Sequence, residues 1–97
     1  LASPDSMMAL IRAAADHHAS WLVGQLCANY LAAFPNSVKR NEVRLLACET
    51  LIEEGTAHRK KAEAWFRELM TAELSEAQRA RVSALAPSYL NTPSESG

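Results

Sequence analysis

The chain has 97 residues, a formal net charge of −1 and 48% hydrophobic residues, which suits one small domain with an apolar core. A charge so close to zero provides no overall field that would attract nucleic acid or an anionic membrane. We expect no membrane span, because no apolar run is long enough to cross a bilayer.

The first predicted helix begins at Ser3, whose hydroxyl can cap free N–H groups, with Pro4 at the first helical position. Apolar residues then recur three and four positions apart, which is the period of one helix face. This face consists of Met7, Leu10, Ile11 and Ala14. The polar run 16–18 is predicted to end the helix.

The second predicted helix runs from about Ala19 to Phe34 and carries two apolar stripes. The first stripe consists of Ala19, Leu22, Val23, Leu26, Tyr30 and Ala33. The second stripe consists of Trp21, Gly24, Ala28 and Leu31. A helix that is apolar over so much of its circumference is usually covered on more than one side. Since tryptophan is a favoured interface anchor, we predict that the second stripe binds a partner.

The third predicted helix begins between Ser37 and Asn41, either of which can cap it, and ends at Gly55 in a left-handed conformation. Its apolar residues include Val43, Leu45, Leu46, Ala47, Cys48, Leu51 and Ile52. Thr56 is predicted to cap the fourth helix. The apolar face of that helix consists of Ala62, Trp65, Phe66, Leu69 and Met70, and we interpret it as core rather than as a ligand pocket.

The sequence from Ser75 to Gln78 fits a capping box and predicts the start of a fifth helix, which Pro87 should end. The polar composition of residues 91–97 predicts a disordered tail. No stretch alternates strictly enough to indicate a strand. The predicted fold class is all-α, with about five helices in antiparallel helix-turn-helix hairpins and a single domain over residues 1–90.

Two cysteines, Cys27 and Cys48, lie within these helical stretches. They show no C-x-x-C spacing and are too few for a disulfide framework. We expect two reduced, buried side chains, whereas a bridge between neighbouring helices would need oxidising surroundings. An intracellular location, cytoplasmic or nuclear, is expected.

The stretch Arg44–Leu69 resembles a tetratricopeptide repeat (TPR), a pair of antiparallel helices that stacks on further pairs. The residues that carry the resemblance, and that are predicted to pack the hairpin, are Ala47, Cys48, Leu51, Gly55, Ala62 and Phe66. Residues 7–35 can be laid over the same pattern. Within the family, the layout is similar to the amino-terminal dimerisation domains of anaphase-promoting complex repeat subunits. The resemblance implies a protein-binding scaffold without catalytic activity.

Two polar clusters are candidate binding sites. Asp16, His17 and His18 are adjacent, so their side chains cannot converge on one metal ion, and we predict an exposed helix junction. The basic residues Arg59–Lys61, with Lys39–Arg40 and Arg79–Arg81, could contact phosphates. We expect instead that Arg59–Lys61 pair with Glu53 and Glu54 across the turn.

The sequence therefore predicts a non-catalytic protein–protein interaction module: a scaffold, chaperone or dimerisation domain. No nucleophile is paired with a base and no Gly-rich phosphate loop is present, so we expect no enzyme, no metal and no cofactor. The expected partner is a protein, either a second copy of the chain or neighbouring repeats of a longer one. The alternative is a small helical nucleic-acid-binding regulator that uses Arg59–Lys61.

Overall fold

The computed structural model of the protein describes residues 3–52 and 56–90, except for the side chains of residues 56–59. These ranges form five α-helices: α1 Pro4–Asp16, α2 Ser20–Ala33, α3 Arg40–Leu51, α4 Thr56–Thr71 and α5 Glu76–Leu90. The described residues contain no strand, so the predicted all-α fold with about five helices is confirmed. None of the helices described is long and apolar enough to cross a membrane.

Two helix starts are confirmed at the level of hydrogen bonds. The amide of Ser6 donates to Ser3 Oγ at 3.1 Å, and Pro4 occupies the first turn of α1. At α5 the capping box is reciprocal. The amide of Gln78 donates to Ser75 Oγ, and the amide of Ser75 donates to Gln78 Oε1, both at 3.2 Å. Local polar side chains thus satisfy backbone N–H groups that have no partner within the helix.

The predicted cap of α3 is wrong. The helix starts inside the expected range, but its N-cap residue is Lys39, which makes no side-chain cap. Ser37 lies earlier, in the preceding turn, where its Oγ lies 2.6 Å from Tyr30 Oη and accepts the Lys39 amide at 3.1 Å. Asn41 is already helical and buried. Ser37 therefore stabilises the connection between α2 and α3 rather than the end of α3.

The prediction that Pro87 ends the fifth helix is also wrong, because α5 continues to Leu90 with the proline inside it. The reason lies in the last turn, where Tyr89 is buried. Its hydroxyl donates to the backbone carbonyl of Cys48, and its ring stacks on Phe66 with centroids 4.9 Å apart. These contacts offset the backbone hydrogen bond that a proline cannot donate.

Several predictions lie outside the described residues. They are the left-handed stop at Gly55, the capping hydroxyl of Thr56, the pairing of Glu53 and Glu54 with the basic cluster, and the tail 91–97. The helix α4 itself begins at Thr56.

The helices are arranged around α3, which packs against each of the other four. Among the described residues α1 contacts only α2 and α3, and α5 contacts only α3 and α4. The core is one cluster to which all five helices contribute, and α3 supplies five of its fully buried side chains: Val43, Leu45, Ala47, Cys48 and Leu51. The overall dimensions are 47 × 27 × 21 Å.

Candidate functional site

The four residues of the predicted partner-binding stripe occupy different environments. Trp21 is 64% exposed, so its side chain is not covered by α1. Ala28 and Leu31 are half-buried, and Leu31 packs against the core. Gly24 is buried, with a Cβ position that would lie 3.6 Å from a methyl carbon of Leu51 in α3. The structure therefore places Trp21 on the surface and Gly24 inside the α2–α3 contact.

The exposed side of α2 forms a continuous surface around Trp21, which we call the α2 outer face. It consists of Trp21, Gln25, Ala28, Asn29 and Ala32, all exposed except the half-buried Ala28. Their spacing of three and four residues keeps them on one side of the helix. The whole of α2 contains no charged residue, so the tryptophan lies on a face without the charges that usually cover a solvated helix.

The predicted hairpin-packing residues that the structure describes are all buried in the core: Ala47, Cys48, Leu51, Ala62 and Phe66. Cys48 makes a polar contact between α3 and α4, since its Sγ lies 3.4 Å from the carbonyl oxygen of Ala62. A thiol can approach the backbone of the facing helix in this way because its side chain is small. These residues hold α3 against α4 and leave no surface for a ligand.

Both cysteines are free and buried, as predicted. Burial raises the pKa of the Cys27 thiol to about 12, with a smaller contribution from Cys48. The pKa of Cys48 is also raised to about 12, first by burial and then by the charge of Glu49. Both side chains are protonated at neutral pH, and Cys27 donates to the carbonyl of Val43. Neither thiol has the thiolate character of a nucleophile.

An ion-pair network joins α5 to α3. Arg81 donates two hydrogen bonds to the carboxylate of Glu49, at 2.9 and 2.7 Å, and a third to Glu42 at 2.7 Å. Gln78 and Arg12 also approach Glu42. Burial alone would raise the pKa of Glu42, but the hydrogen bonds from Arg81 and Gln78 outweigh it and the pKa is lowered. The pKa of Arg81 is raised, chiefly by its hydrogen bonds to Glu49.

This network has no local signal in the sequence, because Arg81 lies 32 positions from Glu49 and 39 positions from Glu42. It also affects the nucleic-acid alternative. Arg81 is a candidate phosphate contact in the sequence, but all three of its guanidinium nitrogens already donate to carboxylates. A phosphate would have to displace Glu42 and Glu49.

The remaining polar candidates are dispersed. Lys60, Lys61 and Arg79 are exposed, and the side chain of Arg59 lies outside the described residues. The residues 16–18 are also exposed, at the end of α1. No group of three or more potential metal ligands occurs within the part of the chain that the structure describes.

A pocket of about 300 Å³ lies between the end of α4 and the start of α5. It is lined by Leu69, Met70, Ala72, Leu74, Arg79, Val82 and Ser83. Met70, which was predicted to be core, is 53% exposed there. The pocket combines an apolar lining with one arginine and contains no pair of groups for acid–base or nucleophilic chemistry.

Comparison of the chain with protein-family models, with curated proteins and with solved structures found no match. The function must therefore be inferred from the surfaces of the chain itself. Among the described residues, the α2 outer face combines an exposed tryptophan with a helix surface that has no charged side chain.

Proposed function

We propose that the chain is a non-catalytic protein–protein interaction module of TPR-like type, and that it associates with a second copy through the α2 outer face. The observation that carries this proposal is the 64% exposure of Trp21 on a helix without charged residues. Burying that ring against a second copy would stabilise the dimer by on the order of 3 kcal/mol per copy. A lone exposed apolar side chain is ordinary, but here the surrounding face is uncharged as well.

The arrangement of the helices supports a module of this kind. Each helix packs against its neighbours along the chain, and α1 and α5 are not in contact with each other within the described residues. Helices stacked in chain order are typical of repeat scaffolds, which present extended surfaces to partners. In such an arrangement none of the five helices described covers the outward side of α2, where Trp21 is 64% exposed.

The chemistry of the polar groups also supports a non-catalytic role. Among the described residues, the groups whose pKa values are shifted are two protonated thiols and an ion-pair network that joins α3 to α5. Each of these has a structural partner: Cys27 and Cys48 donate to backbone carbonyls, and Arg81 binds two carboxylates. Shifted pKa values can mark active sites, but here they report on packing and helix docking.

The oligomeric state tests the proposal. We expect the apparent mass of the parent, measured by sedimentation equilibrium, to rise from monomer towards dimer between low and high micromolar concentration. A variant with Trp21→Ala and Ala32→Glu should weaken association at least tenfold, because it removes the anchor and places a charge on the face. Both positions are exposed, so the fold should be retained.

The matched control is Met70→Ala, which truncates an apolar side chain of similar exposure on α4. It should associate like the parent. A parent that remains monomeric at high micromolar concentration would refute self-association. So would a Trp21 variant that dimerises as well as the control.

A further inference from the structure

The turn between α2 and α3 holds one apolar side chain almost entirely in solvent: Val38 is 92% exposed. The turn itself is well fixed by Ser37. Its Oγ contacts Tyr30 Oη at 2.6 Å and accepts the amide of Lys39, while its carbonyl accepts the amide of Arg40 at 3.1 Å. A side chain presented on such a preorganised turn loses little conformational entropy when a partner covers it.

Two arginines beside this turn have no acidic partner among the described residues. Arg40 and Arg44 are half-buried and lie four residues apart, so they share one face of α3. Arg40 donates to the carbonyl of Ser37 at 2.9 Å, and Arg44 donates to Asn41 Oδ1 at 3.0 Å. Among the described residues neither forms an ion pair. The Nε of Arg44 is buried, and no described residue accepts a hydrogen bond from it.

This is an unfavourable arrangement for the free chain. Like charges four residues apart on a helix repel each other, and a partly desolvated cation normally has a counter-charge. The same chain shows the usual solution at Arg81, whose guanidinium binds two carboxylates. At Arg40 and Arg44 the corresponding carboxylate is missing from the described part of the chain, so a partner could supply it.

We propose that this corner, defined as Val38, Lys39, Arg40 and Arg44, binds an acidic segment of a protein partner. Carboxylates of the segment would accept hydrogen bonds from the two guanidinium groups, and an apolar side chain would cover Val38. The proposal rests on the proposed function as an interaction module, but it concerns a surface distinct from the α2 outer face.

The chemistry of the corner favours an acidic peptide over a nucleic acid. Val38, which is 92% exposed, directly precedes Lys39 and Arg40 in the chain, which suits a partner with apolar and carboxylate side chains close together. Nucleic-acid affinity usually depends on many phosphate contacts, whereas this corner offers three cations on a chain whose net charge is −1. Carboxylates match the fork of an arginine through two parallel hydrogen bonds.

The test is an NMR titration of the 15N-labelled chain with the peptide acetyl-Glu-Leu-Glu-amide at constant ionic strength. We expect saturable shifts of the backbone amides of residues 38–44 and of the Arg44 Nε–H signal. Acetyl-Gln-Leu-Gln-amide, which has the same shape without the charges, should bind at least tenfold more weakly. Val38→Ser should also weaken binding of the acidic peptide.

Arg44→Met should weaken binding at least tenfold, since it removes the charge and keeps much of the apolar stem. The matched control is Arg79→Met, the same substitution at an exposed arginine of α5 that should bind like the parent. If Arg44→Met does not fold, Arg40→Met provides the same comparison. Trp21→Ala should retain peptide binding, which separates this proposal from self-association through α2.

Three results would overturn the proposal. The first is chemical shift changes at Lys60, Lys61 and Arg79 as large as those at the corner. They would indicate that the acidic peptide binds any exposed cation. The second is equal binding of the neutral peptide. The third is a response of the same signals to a single-stranded oligonucleotide at lower concentration than to the acidic peptide, which would assign the corner to nucleic acid.

Discussion

At the scale of single residues, Gly24 is a glycine inside a helix, a position where glycine is normally destabilising. It lies inside α2, where glycine reduces stability because of its extra backbone freedom in the unfolded chain. A Cβ at this position would be 3.6 and 3.8 Å from two methyl carbons of Leu51, which is ordinary van der Waals contact. We expect Gly24→Ala to raise the free energy of unfolding by about 0.5–1 kcal/mol.

Urea denaturation checks this expectation. The control is Ala32→Gly at an exposed position of the same helix, which should lower the free energy of unfolding by a similar amount. A loss of stability in Gly24→Ala would mean that α2 approaches α3 more closely than the structure shows.

Glu42 connects a single pKa to the stability of the fold. Its pKa is lowered, since the hydrogen bonds from Arg81 and Gln78 outweigh the effect of burial. A carboxyl whose pKa is lower in the folded state stabilises the protein above its unfolded-state pKa. That contribution is lost as the pH falls through the folded-state value. We therefore expect the free energy of unfolding to decrease as the pH drops below about 4.5.

Arg81→Met isolates this contribution. At pH 7 it should destabilise the fold by about 1.5 kcal/mol, a low value for hydrogen bonds to charged groups because the side chains are partly solvated. The free energy of unfolding of this variant should decrease less at low pH than that of the parent. Arg79→Met, the same change two residues earlier, should leave the stability at pH 7 and its pH dependence nearly unaltered. Identical pH profiles for the two variants would contradict the role of the network.

At the scale of elements, the sequence predicted the helix ends that depend on hydrogen bonds between residues close together in the chain. The cap at Ser3 and the box at Ser75–Gln78 were predictable because donor and acceptor lie three positions apart. The end of α5 was not, because Tyr89 is held by Phe66 and by the carbonyl of Cys48, 41 residues earlier. For the same reason, the apolar pattern around α2 could not show which stripe faces α3.

The proline inside α5 leads to a prediction about that element. Pro87 cannot donate a hydrogen bond to the carbonyl four residues earlier, and its ring crowds that carbonyl. Because the helix continues past it, Pro87→Ala should restore the bond and stabilise the protein by about 1–3 kcal/mol. Thermal and urea unfolding measure the change.

Pro4→Ala is the informative comparison, because Pro4 lies in the first turn of α1, where proline is favourable. That substitution should be neutral or slightly destabilising. If Pro87→Ala behaved in the same way, α5 would not be helical through its last turn.

At the scale of the whole molecule, the candidate site could be predicted only in part. The sequence predicts Trp21 as an interface anchor, since an apolar stripe and an aromatic residue are visible in the chain, and the structure shows that this side chain is 64% exposed. The sequence indicated Lys39 and Arg40 only as possible phosphate contacts, and it could not indicate that Val38 is exposed beside them or that Arg44 joins the same corner. An unpaired arginine is recognised only when the positions of every carboxylate are known, and those depend on how five helices pack.

The same packing predicts how the molecule opens. The central helix α3 contacts all four others, whereas α1 and α5 each contact only two helices among those described. Amides of α3 should therefore exchange with solvent deuterium only through global unfolding, and those of α5 and α1 through partial openings of lower free energy. Native-state hydrogen exchange should give protection at least tenfold greater in α3 than in α5. Arg81→Met, which releases α5 from Glu42 and Glu49, should accelerate exchange in α5 more than in α1. Equal protection in all five helices would instead mean that the domain unfolds as one unit, without separable end helices.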